Sequence, residues 1–383
     1  MVTLTEVYVA AESFGFHCYV GADRLVFPWH DHIVTAYLDE RNPQALVFDT
    51  ELRNTIGMEY TGDLARTITA WNHERLGPTV SLRVGDEAAV SLHARSSLLS
   101  GAGLTPEQLA DFVRLSMETA RLAVDHLIED LPDLAMPESE DNVALRRKQD
   151  TAALNGPLPR DRHVGVNKLD DDVVRLRDID HRRSQDDIDP GAPDEEYSAS
   201  MSTDHDWDTP DGADEDTPVD VSLDRVREAL SALGIEKTHG DEDVIIAWLT
   251  HGLFGFFLDN GPSYLIKGHW DPGLDPDSDF LRMFLLCNDW NESSTTTKAF
   301  CHEDAEGLQV RVEFTAPVRE GMTDLQLEHN TAVAINQVLH AIDEQGKLTP
   351  ELRAKIEAGE GGGGVGEGEK PYKKKRATRA SKA

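Results

Sequence analysis

The stretch LCNDWNESSTTT, residues 286–297, has a partial echo in ITAWNHERLGPT, residues 68–79. Each ends an apolar, helix-like run with a Trp-Asn pair, Trp71-Asn72 and Trp290-Asn291. Each then continues through a polar turn into a Thr-containing strand candidate. The two tryptophans stand 219 residues apart. The same shift carries Val2, Leu4, Val7, Ala10 and Gly15 onto Val221, Leu223, Val226, Ala229 and Gly234. It also carries Trp29 onto Trp248, His32 onto His251 and Leu46 onto Leu265, and near the ends Val90 aligns with Val310 and Thr105 with Thr323. A shift held across separate segments points to two copies of one domain, roughly 130 residues each, rather than to a solenoid.

The first copy, residues 1–131, opens with a capping-box pattern at Thr3-x-x-Glu6, with Leu4, Val7, Ala10, Ala11 and Phe14 at helical spacing. Strand candidates FHCYV, LVF, IVTAYL and ALVF follow, and a second helix places Leu64, Thr67, Ile68 and Trp71 on one stripe. TVSLRV and AAVSLHA read as a hairpin, and Thr105-Pro106-Glu107-Gln108 starts a closing helix. The second copy, 221–345, repeats the order: a helix capped by Ser222, strands DVIIAWL, LFGFFL and SYLIKGHW, and the Trp290 helix. KAFCHE and LQVRVEFTA form its second strand pair, and a helix boxed by Thr323 and Gln326 closes it. Each copy reads α-β-β-β-α-β-β-α. Short turns imply an antiparallel sheet with helices on one face, hence an α+β class.

Residues 132–220 lose apolar periodicity and carry acidic runs such as SQDDIDPGAPDEE, which reads as a disordered linker. Trp207 stands alone within it as a candidate recognition element. Residues 346–383 comprise a short helix candidate, LTPELRAKIEA, a Gly-rich spacer, and a basic end, KPYKKKRATRASKA. Lys373, Lys374, Lys375 and Arg376 are the candidate tail contacts for nucleic acid, an anionic surface or the acidic linker.

The formal net charge of −34 over 383 residues disfavours nonspecific binding to nucleic acid or anionic membrane. Cys18, Cys287 and Cys301 show no paired spacing, as expected of free thiols in a reducing cytoplasm. Neither a secretory leader nor a membrane span is expected.

Recognisable chemistry is absent from the pattern. In GGGGVGEGEK, Glu369 and Pro371 stand where a phosphate loop needs Gly and a helix start. His30-Asp31-His32 has the i, i+2 spacing for one metal, but the second copy does not repeat it, so solvent-facing strand histidines are expected instead. Glu74 and Glu292 flank the Trp-Asn pairs but align imperfectly. No catalytic, cofactor or metal residue is nominated. Trp71 and Trp290 are expected to anchor helix to sheet, and Asn72 and Asn291 to cap helix C-termini.

With both copies laid out, the chain resembles the YbjN family, described as putative bacterial sensory transduction regulators. LDRVREALSALGI, DVIIAWLTHGLFGFFL, DFLRMFLLCNDWNESSTTTKAF and LQVRVEFTAPV carry the likeness, with ITAWNHERLGPT in the first copy. The resemblance implies two tandem domains like type III secretion chaperones, commonly dimers that bind extended protein segments without catalysis. It also implies intramolecular pairing of the two copies, helped by an effective concentration of about a millimolar across a flexible linker. The expectation is therefore a cytoplasmic, non-catalytic regulator or adaptor that binds protein partners. The alternative is a nucleic-acid- or ribosome-associated factor acting through the basic tail.

Overall fold

Thr3 opens the first helix as its pattern predicts. In the computed structural model its hydroxyl accepts from the Glu6 N–H and the Glu6 carboxylate accepts from the Thr3 N–H, closing the box. The structure describes residues 2–137 and 217–347, apart from Asn42, Asp86, Glu87, Asp241, His251, Asn260, Gly261, Ala305 and Glu306. The segment 138–216 with Trp207, the helix expected at LTPELRAKIEA, and Lys373, Lys374, Lys375 and Arg376 lie outside the described residues.

The first region runs α1 (Leu4–Ser13), β1 (Tyr19–Val20), β2 (Leu25–Pro28), β3 (His32–Asp39), β4 (Ala45–Leu52), β5 (Ile56–Gly57), α2 (Thr61–Glu74), β6 (Thr79–Val84), β7 (Ala89–Leu99) and α3 (Pro106–Asp130). The second runs α4 (Leu223–Ala232), β8 (His239–Gly240), β9 (Val244–Leu249), β10 (Gly252–Asp259), β11 (Ser263–Leu274), α5 (Pro276–Ser293), β12 (Lys298–Asp304), β13 (Gly307–Pro317) and α6 (Asp324–Lys347). Apart from the two-residue strands, both follow α-β-β-β-α-β-β-α. The longer strands pair in the order β2-β3-β4-β7-β6 in the first region and β9-β10-β11-β13-β12 in the second, antiparallel throughout. The chain is two tandem α+β domains of one topology.

Alternation along the strands decides which face the helices cover. Leu25, Phe27, Val34, Ala36, Leu46 and Phe48 point to one side and are buried with Val7 and Ala11 of α1 and Leu109, Phe112 and Val113 of α3. On that same face Val80, Leu82, Leu92 and Ala94 lie in one cluster with Leu64, Ile68 and Trp71 of α2. That cluster continues without a break into the second domain, through Cys287, Trp290, Ala299 and Val338. The opposite face of the first sheet is polar along β6 and β7, with Ser81, Arg83, His93 and Arg95.

Strand pairing corrects part of the alignment read from the sequence. The 219 shift holds for the opening helices and for the Trp-Asn junctions, where Val80 corresponds to Ala299. In the first two long strands the true correspondence is one residue further, Leu25 to Ile245 and Ala36 to Phe256. In β4 it is one residue less, Leu46 to Tyr264 and Phe48 to Ile266. The turn between Asp39 and Ala45 is two residues longer than that between Asp259 and Ser263. Trp29 and Trp248 are therefore not equivalents, nor are Leu46 and Leu265, because a one-residue slip exchanges the faces of a strand. Trp29 is buried, whereas Trp248 is exposed on the outer face. Val310 corresponds to Leu92 rather than to Val90, and His251 lies outside the described residues.

Candidate functional site

The repeated junction is a device for closing a sheet edge. β6 and β12 each pair with one strand only, which leaves a row of backbone N–H and C=O groups open. Asn72 is still inside α2, which runs on to Glu74 and is capped by an extended Arg75. The left-handed cap expected of Asn72 and Asn291 is therefore not formed. Instead Asn72 Oδ1 accepts from the Val80 N–H (2.9 Å) and Nδ2 donates to the Val80 carbonyl (2.8 Å). Asn291 repeats the pair on Ala299, at 2.7 and 2.8 Å. An amide carries one acceptor and one donor side by side and so stands in for a neighbouring strand; a carboxylate lacks the donor. Trp71 and Trp290 are 4% and 9% exposed, and their indole N–H groups donate to the Pro78 carbonyl and the Thr297 hydroxyl. These bonds pin the turns that lead into β6 and β12.

One helical turn before Asn291, Asn288 makes the same pair of bonds to the other domain. Its Oδ1 accepts from the Leu82 N–H (2.8 Å) and its Nδ2 donates to the Leu82 carbonyl (2.9 Å). Residues three apart share a helix face, so α5 closes β12 with one amide and β6 with the other. Thr69 occupies the corresponding place in α2, which makes this bridge one-sided. Around it, Glu292 accepts from Ser81 (2.7 Å) and Arg83 (2.6 Å), which accounts for that carboxylate. Arg95 Nη1 donates to the carbonyls of Asn291, Glu292 and Ser294 at the end of α5 (3.0–3.2 Å). A cation there also meets the negative end of the helix dipole. In return, α2 lies against β12: His73 stacks on His302, and Lys298 donates to the Arg75 carbonyl. Lys298 is buried with Glu313 at 3.0 Å; burial pulls its ammonium below the usual lysine range, and the carboxylate partly restores it.

The two capping-box glutamines complete a pseudo-twofold contact. Gln108 Nε2 donates to the Gly321 carbonyl and to Gln326 Oε1; Gln326 Nε2 donates to the Gly103 carbonyl and to Gln108 Oε1. Each partner's residue meets its own counterpart, the signature of an isologous interface. The Oε1 atoms still accept from Thr105 and Thr323, so the helix caps and the interdomain contact share the same atoms.

Where the two junction turns approach each other, a cleft of about 100 Å³ opens between the domains. Leu76–Thr79 lies on one side and 294–298 on the other, with Ser96, Ser116, Thr315 and Arg95 among the lining residues. The cleft is hydroxyl-rich. The Ser116 hydroxyl and Arg95 Nε are buried without a hydrogen-bond partner.

His30 and His32 are buried, not solvent-facing as expected from the sequence. His30 precedes the strand, and the His32 ring stacks on Trp29 at 5.6 Å. Burial, with the charges of Arg53 and Arg121, lowers the His32 pKa to about 3. Among the described residues no group of three or more His, Cys, Asp or Glu is placed to hold a metal ion. Cys287 and Cys301 are buried free thiols, and Cys18 is a partly exposed one. A hydrogen bond with Cys301, together with burial, pushes the Cys287 thiol well above its usual range. No described helix is long and apolar enough to cross a membrane.

Reading the sequence alone isolated Trp71, Asn72, Trp290 and Asn291, whose side chains the structure bonds to the turns before β6 and β12 and to the edges of those strands. It passed over Asn288, Arg95 and Lys298. Asn288 had one usable signal, a second amide three residues before Asn291 on the same helix face. Arg95 and Lys298 had none, because their partners come from the other domain.

The YbjN family, described as "Putative bacterial sensory transduction regulator", matches residues 3–129 and 222–345. Among solved structures the chain is similar to one described as "YbjN, a putative transcription regulator from E. coli". That match has 22% identity and a TM-score of 0.29, and covers 33% of this chain and 93% of that one. No curated protein matches it.

Proposed function

The chain belongs to the YbjN family, and from that premise we propose that it is a non-catalytic regulator whose paired domains dock a protein partner along their outer sheet edges. The observation that carries this reading is Trp248. Its side chain is 61% exposed on β9, one strand in from β8, where the sheet ends. The matching end of the first sheet is β1, whose Tyr19 and Val20 are 73% and 68% exposed. The inner edges, β6 and β12, are closed by asparagines, so the outer edges are where an extended segment adds a strand. An exposed Trp beside such an edge is the residue type that dominates binding energy. The domains are taken as 1–131 and 221–345, and the site of action as the cytoplasm.

The test is affinity capture from extracts of the source bacterium with wild-type protein and with Trp248→Ser, alongside thermal melts of both. The expected result is proteins retained by the wild type and lost by the variant, with Tm unchanged. Identical capture, or a variant Tm lower by about 4 °C or more, would show Trp248 to be a packing residue instead.

A further inference from the structure

We propose that residues 350–356 fold back onto the second domain as a strap, with Leu352 seated in an apolar groove at the start of α5. The first domain shows the arrangement complete. Beyond α3 the chain makes one 3-10 turn, Pro132–Leu134, and Leu134 is fully buried in the cluster that holds Leu52, Ile56 and Leu64. Asn54, between Leu52 and Ile56, donates to the carbonyls of Asp133 (2.8 Å) and Ala135 (3.3 Å), on either side of Leu134. Tyr60, which immediately precedes α2, donates to the Asp133 carboxylate (2.9 Å).

The second domain repeats the parts. Pro132-Asp133-Leu134 recurs as Pro350-Glu351-Leu352 at a shift of 218, the shift that carries Thr105 and Gln108 onto Thr323 and Gln326. Proline just past a helix end stops the helix and turns the chain. α3 ends at Asp130 and α6 at Lys347, within one residue of equivalent points, so Leu352 needs no longer a path than Leu134 takes. Strand register sets Trp270 and Leu274 at the places of Leu52 and Ile56. Leu52 is 1% exposed beneath its strap, whereas Trp270 is half-buried, as is Phe280 near the start of α5. A leucine laid there removes apolar surface of both rings from water. Charge fits the same occupant. Asp271 stands where the first domain has Arg53, and the loop from Asp271 to Asp279 carries four carboxylates and no cation. Opposite them, Arg353 and Lys355 stand where the first strap has Ala135 and Pro137. Pro272 replaces Asn54 and has no donor, so the second strap rests on apolar burial and ion pairs instead. It uses none of the residues assigned to partner docking, and it stands whether or not Trp248 binds a protein.

The test is hydrogen–deuterium exchange of the full chain, read by mass spectrometry over residues 350–356 and 270–281. The expected result is exchange in 350–356 slower than the free-peptide rate by about tenfold or more, the factor that burial of one leucine side chain supplies. Leu352→Asp should restore the free-peptide rate there and speed exchange in 270–281, while Leu352→Met keeps the protection. Free-peptide exchange in the wild type overturns the proposal. So does protection that survives Leu352→Asp, or a Leu352→Asp effect that does not reach 270–281. Protection that disappears on dilution would assign the groove to a second copy of the chain and overturns the strap equally.

Discussion

Asn288→Ala should loosen the domain pair while leaving each domain folded. The substitution removes two hydrogen bonds to the Leu82 backbone and strands a buried N–H and a buried C=O on β6. Each neutral bond contributes about 0.5–1.5 kcal/mol net, and each buried group left unpaired costs about 1–3 kcal/mol. Partial entry of water at the new gap brings the total to about 2–4 kcal/mol, or roughly 30- to 1,000-fold in association. Asn291→Ala is the matched control, because it removes the same two bonds from Ala299 within the second domain. A protease site placed within residues 138–216 allows the full chain to be purified and then cut. Sedimentation velocity across a dilution series then measures whether the two fragments stay together. The wild type should remain a pair at concentrations where Asn288→Ala separates. Asn291→Ala should instead lower the melting temperature of the second domain with little change in pairing. Equal dissociation of the two variants would refute the assignment of Asn288 as the interdomain bridge.

Three further outcomes follow from buried groups. Trp290→Ala deletes a side chain 9% exposed and should cost about 3–5 kcal/mol; a Tm within about 2 °C of wild type would place the indole in a groove instead. His32 has a folded pKa of about 3 against about 6.5 unfolded, so between those values the unfolded chain binds more protons. Its contribution is complete above pH 6.5 and is lost as pH falls toward 3, at up to about 1.4 kcal/mol per unit. Urea unfolding at pH 7.5 and 5.0 should therefore cost the wild type about 2 kcal/mol more than His32→Leu, and equal losses would rule out a buried neutral ring. Lys298→Met leaves Glu313 buried with Lys267 as its nearest cation and should destabilise by about 3–5 kcal/mol. Lys298→Met combined with Glu313→Leu should recover part of that loss in chemical denaturation, less than all because Lys267 then loses its bond to Glu313; no recovery would mean that the uncompensated Glu313 carboxylate is not the source of the loss.

Local chemistry is what the sequence alone determined here. Capping boxes at Thr3, Thr105 and Thr323, helical stripes and short turns act over a few residues, so the element order and the duplication were legible, and with them the α+β class. Strand register was not. The opening helices and the junctions held the 219 shift, but turn lengths between β3 and β4 differ by two residues, and a single-residue slip undid the equivalence of Trp29 and Trp248. The asparagines were misread for a related reason. A helix-terminal Asn suits a left-handed cap on local grounds, and nothing within a few residues of Asn72 or Asn291 announces an unpaired strand edge eight residues on. What the tertiary structure decided is the use to which these residues are put. Arg95 meets carbonyls nearly two hundred residues away, Asn288 closes a strand of the other domain, and Gln108 and Gln326 bond each other across the pseudo-twofold contact. Hydrogen bonding selects geometry rather than sequence distance, so such partners exist only once both sheets have formed and their open edges have been brought together.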